Sequence, residues 1–141
     1  MLNDSNKPIG FPPFFAHDEQ MKNQPFHHRL RYATKGISTA FKNEASFRTQ
    51  CVFAAGALVL LVGLRPKPAW WALVLLTVAS VLAAELLNTA LEAIVDHLHP
   101  HQHPMIAKAK DCAAGAVLVL SLASVGVAAA LLWDTLKIGP Q

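Results

Sequence analysis

Three long stretches without charged side chains most constrain what this chain can fold into. No Asp, Glu, Lys or Arg occurs at positions 49–64, 68–84 or 112–133. A helix that crosses a hydrocarbon core of about 30 Å needs roughly 20 largely apolar residues, because each residue advances the helix by about 1.5 Å. The third stretch meets this length alone, and the first two meet it with flanking residues. We therefore predict three membrane-spanning helices.

The composition supports a membrane protein and argues against other classes. Charged residues make up 15% of the chain and hydrophobic residues 53%, whereas an average soluble domain is roughly 25% charged. This balance argues against a disordered chain or a coiled coil. The cations stand beside apolar stretches and form no soluble basic face, so we expect no nucleic-acid partner. Cys51 and Cys112 lack a CxxC partner, which indicates packing residues.

The basic residues predict the orientation of the chain. Lys and Arg near the ends of spans stay on the cytoplasmic side of the membrane. Lys108 and Lys110, between the second and third spans, agree with a cytoplasmic N-terminus, whereas Arg65 and Lys67 oppose it. Seven further cations precede the first apolar stretch and also favour a cytoplasmic N-terminus: Lys7, Lys22, Arg29, Arg31, Lys35, Lys42 and Arg48.

Before the first span, the pattern predicts an irregular arm followed by an amphipathic helix. Prolines recur in residues 1–27, and Pro12 and Pro13 interrupt the only apolar segment that could act as a secretory signal. From His28 to Ala40, apolar residues recur at helical spacing among basic ones, which predicts a helix lying on the membrane surface. The alternative is a soluble helix packed on a loop.

These patterns together predict an all-α membrane protein with one membrane domain. The domain covers residues 28–133, and residues 134–141 form a short C-terminal tail. We place the three spans at about 47–64, 69–95 and 111–133.

Carboxylates occur inside the second predicted span, where lipid should surround the helix. If Trp70 lies at the outer interface, Glu85 falls about 22 Å further along the helix axis, near the inner edge of the hydrocarbon. A single Glu or Asn would fit hydrogen bonding between helices, whereas several carboxylates on one face need cations, metal or protons to balance their repulsion. At about 100° per residue, four polar residues lie within about 80° of one another. This polar stripe consists of Glu85, Asn88, Glu92 and Asp96.

The polar stripe can serve two kinds of chemistry. A carboxylate in an apolar wall can take a proton from a substrate hydroxyl, and ionised carboxylates near water can hold a divalent metal. Glu85 is the deeper residue and suits the first role. Glu92 lies nearer the cytoplasm and suits the second role, together with Glu44 from the mouth of the first span.

A charged block directly precedes the third span. Lys110 is a cation on the predicted cytoplasmic side and suits phosphate oxygens. Asp111 stands where an acidic residue at a helix N-terminus would stabilise the helix dipole. Considered alone, this block is better explained by anchoring on the cytoplasmic side plus a helix cap.

Three motifs resemble the prokaryotic diacylglycerol kinases, small integral-membrane enzymes that also include undecaprenol kinases. The motifs are NEASFR at 43–48, ELLNTALEAIVD at 85–96 and AKAKD at 107–111, and the resemblance covers about residues 28–133. The pattern E-x-x-N-x-x-x-E-x-x-x-D joined to a later A-K-D is very specific in a three-span chain. No G-x-x-x-x-G-K-[ST] loop occurs, which argues against a phosphate-loop kinase and is expected in this family.

The resemblance implies a fold and an activity. The fold is a homotrimer with three transmembrane helices and an amphipathic surface helix in each subunit. The activity is transfer of the γ-phosphoryl group of ATP, with Mg²⁺, to diacylglycerol at the cytoplasmic surface of the bacterial inner membrane, which recycles lipid for phospholipid biosynthesis. Undecaprenol stays open as the alternative lipid, because no residue here separates the two tails.

The resemblance also implies roles for individual residues. By its place in the motif, Glu85 resembles the family's catalytic base. Glu44 and Glu92 likewise resemble the carboxylates that bind the metal and also contact the nucleotide. Serine is usual in the family at the position of Ala114. The other expected nucleotide contacts are Tyr32, His103, Lys110 and Asp111, and the expected lipid contacts are Arg48, Glu85, Asn88 and Ala114.

Alternating histidines at 97, 99, 101 and 103 lie between the second and third spans. Such a run could bind zinc, nickel or copper. Because no cysteine accompanies it, we interpret it as a solvated loop beside the nucleotide site.

Two functions from other classes stay open. A small proton-coupled transporter would use Glu85 as its proton carrier and would have no use for Lys110. A non-enzymatic subunit of a membrane assembly would need Glu92 only for oligomer stability.

Overall fold

Four helices make up the described part of the chain. The computed structural model describes residues 25–99, 101 and 103–137, without the side chain of residue 137. Those ranges contain no strand, which confirms the all-α fold. Residues 1–24 of the predicted arm and 138–141 of the predicted tail lie outside them. The helices are α1 (Phe26–Asn43), α2 (Ala45–Leu64), α3 (Pro68–Leu98) and α4 (Pro104–Lys137).

Three of these helices are long and apolar enough to cross a membrane. They are Ala45–Leu64, Pro68–Leu98 and Pro104–Leu136. Most of their large apolar side chains are exposed in the single chain, which is the surface that lipid or neighbouring helices cover in a membrane. The prediction of three membrane-spanning helices is therefore confirmed.

Helix α1 is the expected amphipathic helix. Among the described residues, those up to Gly36 and those from Ile37 onward belong to two compact units. In the first unit, Leu30 is exposed and the Thr34 hydroxyl donates to its carbonyl oxygen at 3.1 Å. In the second unit, the apolar side chains of Ile37 and Phe41 are exposed. An exposed apolar face is expected of a helix that lies on a membrane surface.

Helices α2 and α3 are joined by a short turn with clear stop and start signals. Arg65 adopts the left-handed conformation at φ 48°, and its backbone N–H donates to the Leu61 carbonyl at 3.0 Å, which ends α2. Pro68 starts α3 at a position where its missing N–H has no helical partner to lose.

Two polar contacts fix α3 and α4 as antiparallel neighbours along their whole length. Trp70 Nε1 donates to Asp134 Oδ2 at 2.8 Å, and Lys110 Nζ donates to Asp96 Oδ1 at 2.9 Å. Trp70 and Asp96 are about 39 Å apart along α3 at 1.5 Å per residue, so the contacts lie at opposite ends of the helix pair.

The best-buried apolar cluster lies at the Trp70 end of the helices. Leu61 of α2, Val74 of α3 and Leu131 of α4 are all buried there, and Trp70 and Trp71 pack against them. This cluster holds the three helices together and leaves the opposite end for the polar groups described next.

The interpretation of Asp111 as a helix cap is wrong. Helix α4 begins at Pro104, with the backbone N–H groups of Ile106 and Ala107 donating to the His103 carbonyl at 3.0 Å. Asp111 therefore lies in the second turn of α4, past the N–H groups that a cap would satisfy. The helix forms before it reaches the predicted span because Pro104 suits a first helical position.

Candidate active site

Glu85 is the most deeply buried charged side chain in the described ranges. It is 2% exposed, and its Oε1 atom is buried without a hydrogen-bond partner. One turn further along α3, the Oδ1 atom of Asn88 is also buried without a partner. Leaving a buried acceptor unpaired costs about 1–3 kcal/mol, so these two oxygens mark a place where a donor is missing.

The next member of the polar stripe is tied to Asn88. The Asn88 Nδ2 atom donates to Glu92 Oε1 at 3.1 Å, across one turn of α3. Both side chains are half-buried. The amide therefore orients one carboxylate oxygen of Glu92 and leaves the other available to a ligand.

The last member of the polar stripe joins α3 to α4. Lys110 Nζ donates to both carboxylate oxygens of Asp96, at 2.9 and 3.2 Å. Sequence reasoning placed Asp96 in the stripe but gave it no role. Its spacing of four residues from Glu92 was the available signal, whereas the pairing with Lys110 depends on how the connection folds.

A one-residue joint separates α1 from α2. Glu44 is that residue, with extended backbone at φ −104° and ψ 118°, and its carboxylate makes no capping hydrogen bond. Arg48 spans the joint, since its Nη1 atom donates to the carbonyl oxygens of Phe41 and Lys42 at 3.2 and 3.0 Å. The guanidinium thereby satisfies carbonyls that the end of α1 leaves without helical partners.

The other expected contact residues lie on α4, at its start and on α1. His103 caps α4, because its Nδ1 atom accepts from the Met105 N–H at 3.2 Å. Asp111 and Ala114 are exposed on α4. Tyr32 belongs to the first unit, where the Arg31 guanidinium lies 5.6 Å from its ring centre. Roles for these four residues stay predictions.

An open cavity of about 540 Å³ lies beside the Asp96–Lys110 pair. Its size is within the range of small-molecule sites, about 300–1,000 Å³. Residues from the end of α3, the connection and the start of α4 line it: Asp96, His99, His101, His103, Ala107 and Lys110.

A second, larger cavity is a groove among α2, α3 and α4. It measures about 730 Å³ and is lined mainly by apolar side chains. One of its few polar contacts is the hydrogen bond from Gln50 Nε2 to Ser121 Oγ, at 3.3 Å. A lining of this kind suits hydrocarbon, from a lipid or from a neighbouring helix.

The oxygen donors at this end of the bundle fit Mg²⁺. Magnesium takes one or two carboxylates and completes its shell with phosphate oxygens and water. Glu92, oriented by Asn88, and Glu44 supply carboxylates of that kind. Within the described ranges, no group of three or more His, Cys, Asp or Glu side chains could hold a metal alone.

Comparisons with known proteins identify the family. Residues 31–132 match the family described as prokaryotic diacylglycerol kinase. The diacylglycerol kinase of Synechocystis sp. is 40% identical over 104 residues, which cover 73% of this chain and 59% of that protein. The diacylglycerol kinase of Escherichia coli K12 is 34% identical over 103 residues, which cover 73% of this chain and 84% of that protein.

A relative with a different name falls in the same range of similarity. The undecaprenol kinase of Bacillus subtilis strain 168 is 32% identical over 93 residues, which cover 66% of this chain and 76% of that protein. The family match over residues 31–132 includes α2, α3 with the whole polar stripe, and α4 as far as residue 132. The chain belongs to the prokaryotic diacylglycerol kinase family.

Proposed function

We propose that this chain phosphorylates diacylglycerol, using ATP, at the cytoplasmic surface of the bacterial inner membrane. The lipid hydroxyl oxygen attacks the γ-phosphorus, the bond from that phosphorus to the ADP oxygen breaks, and the hydroxyl proton passes to a base. The products are phosphatidic acid and ADP. Family membership supports the reaction class.

The buried carboxylate of Glu85 is the single observation that carries this proposal. Its Oε1 atom lacks a donor inside a membrane-spanning helix, and the lipid hydroxyl is a donor of the kind that the site lacks. General-base catalysis needs this arrangement, in which the base lies within hydrogen-bond reach of the proton it abstracts.

The remaining residues serve the nucleotide. Phosphoryl transfer depends mainly on in-line positioning and on neutralising charge on the transferred group. We assign Glu92 and Glu44 to hold Mg²⁺, which when bound neutralises phosphate charge. We assign Lys110 to the phosphate oxygens, with Tyr32, His103 and Asp111 as further nucleotide contacts.

The same proposal assigns residues to the lipid. We assign Arg48, Asn88 and Ala114 to the lipid side of the site, with Ala114 offering apolar contact only. The apolar groove among α2, α3 and α4 supports a substrate with hydrocarbon tails.

The assembly and orientation belong to the same proposal. The cations of α1 and of the start of α4 support a cytoplasmic N-terminus. The exposed apolar faces of α2, α3 and α4 leave room for contacts between subunits, and we propose a homotrimer whose membrane domain covers residues 28–133.

The decisive assay measures ATP-dependent phosphorylation of diacylglycerol and of undecaprenol, side by side, by the purified protein in mixed micelles. Removing a general base typically costs about 10²–10⁴ in rate, so Glu85→Gln should lower kcat by that factor. Asp134→Asn makes the same carboxylate-to-amide change at the far end of the bundle and should keep the wild-type kcat. Near wild-type activity in Glu85→Gln would exclude Glu85 as the base, and faster turnover of undecaprenol would reassign the lipid.

A further inference from the structure

The Lys110 ammonium group donates hydrogen bonds to both carboxylate oxygens of Asp96. The lysine nitrogen lies 2.9 and 3.2 Å from the two carboxylate oxygens. It connects the last turn of α3 to the second turn of α4 across the histidine-containing connection. An ammonium group has three hydrogens and no acceptor, so at least one hydrogen stays available to another ligand.

The Asp96–Lys110 ion pair contributes little to the stability of the fold. The side chains of Lys110 and Asp96 are 33% and 64% exposed. Ion pairs as exposed as this one contribute little to the stability of a protein, because water screens both charges. At the other end of the helices, the buried cluster around Leu61 and the Trp70–Asp134 hydrogen bond already hold α3 against α4.

The location of the Asp96–Lys110 pair indicates a role in ligand binding. Both residues line the open cavity of about 540 Å³, so a ligand in that cavity would meet the ammonium group directly. A free lysine side chain samples many rotamers, and fixing it against a ligand costs that entropy. A carboxylate that already holds the ammonium group removes part of that freedom before the ligand arrives.

From this arrangement we infer that Asp96 is a positioning residue: it holds the Lys110 ammonium group where a free hydrogen meets the phosphate chain of the nucleotide. This inference rests on the proposed phosphoryl transfer and on the nucleotide contact assigned to Lys110. It adds a residue to which that proposal gives no role, and Asp96 itself touches neither the lipid nor the phosphate.

The charges predict which kinetic constant responds. Asp96 neutralises Lys110, so the pair as a whole draws ATP in weakly. Replacing Asp96 by Asn exposes the positive charge, which favours ATP binding within a screening length of about 8–10 Å, but it also frees the ammonium group from its position. These two effects oppose each other in the ground state, whereas only the loss of position weakens the transition state.

The test is a double-mutant cycle with Asp96→Asn, Lys110→Gln and the double variant, using the full chain in mixed micelles. Small misplacements of a catalytic group can cost up to about 100-fold in rate, and we expect Asp96→Asn to lower kcat by about 10-fold while the KM for ATP changes by less than about 2-fold. In the Lys110→Gln background, Asp96→Asn should cause no further loss, because residues that act as a unit are not additive. Lys108→Gln, an exposed lysine on the same helix, is the control and should keep the wild-type kcat.

One further variant and the wild-type assay distinguish the possible outcomes. Asp96→Glu retains a carboxylate and should recover more of the wild-type kcat than Asp96→Asn does, which also covers the case in which the Asn variant fails to fold. Wild-type kcat in Asp96→Asn, or losses that multiply in the double variant, would overturn the positioning role while leaving the proposed kinase intact. A wild-type protein that phosphorylates neither lipid would overturn the proposed function, and the positioning role with it.

Discussion

Replacing Trp70 by Phe removes the indole donor from Asp134 and keeps an aromatic ring against the buried cluster. The lost bond is 2.8 Å long and has a carboxylate acceptor, and both side chains are half-buried. Hydrogen bonds to charged groups contribute about 1.5–3 kcal/mol in soluble proteins, whereas cross-helix bonds in membranes average about 0.6 and reach about 1.7 kcal/mol. Because the acceptor is charged, we place this bond at the upper end of the membrane range, at about 1–1.7 kcal/mol.

Trp71→Phe is the matched control for this prediction. Trp71 packs on the same cluster, so its replacement removes the same atoms without touching the bond to Asp134. Unfolding of each variant in mixed micelles, titrated with SDS and followed by near-ultraviolet circular dichroism, should show Trp70→Phe less stable than Trp71→Phe by about 1–1.7 kcal/mol. The kcat should not change in either variant, because Glu85 lies about 22 Å away along α3. Equal stability losses, or a fall in kcat confined to Trp70→Phe, would refute this reasoning.

Two other substitutions test the buried cluster and the metal assignment. Leu61→Ala empties a fully buried position and should cost about 2–5 kcal/mol in the same SDS titration; a loss below about 1 kcal/mol would contradict the packing described here. Glu92→Gln should raise the Mg²⁺ concentration needed for half-maximal activity by at least about 10-fold, measured by magnesium titration after treatment with EDTA, whereas an equal loss at every Mg²⁺ concentration would contradict a role in metal binding.

The membrane made most of the fold predictable. A lipid core forces apolar segments of sufficient length into helices, so the gaps in charge before Arg65, before Glu85 and after Asp111 indicated α2, α3 and α4. The start of α4 was not predictable in the same way. Charged residues from Lys108 to Asp111 mark the edge of the apolar stretch, but a helix can begin before that edge, and here it begins at Pro104.

The candidate site was predictable only within one helix. Periodicity placed Glu85, Asn88 and Glu92 on one face of α3, and the structure adds the hydrogen bond that joins the last two. Contacts between helices depend on connection geometry and on the register of antiparallel helices, which no local pattern encodes. The pairing of Asp96 with Lys110 is therefore visible only in the fold.

The single-residue joint at Glu44 has a consequence for how the chain tolerates change in length. Each residue of a helix turns the backbone by about 100°, and no loop separates α1 from α2 to absorb an extra residue. One inserted residue would rotate one helix against the other and carry the carbonyls of Phe41 and Lys42 away from the Arg48 guanidinium that bridges to them. The joint therefore fixes the rotation of α1 relative to α2. It tolerates a change of side chain far more readily than a change in the number of residues.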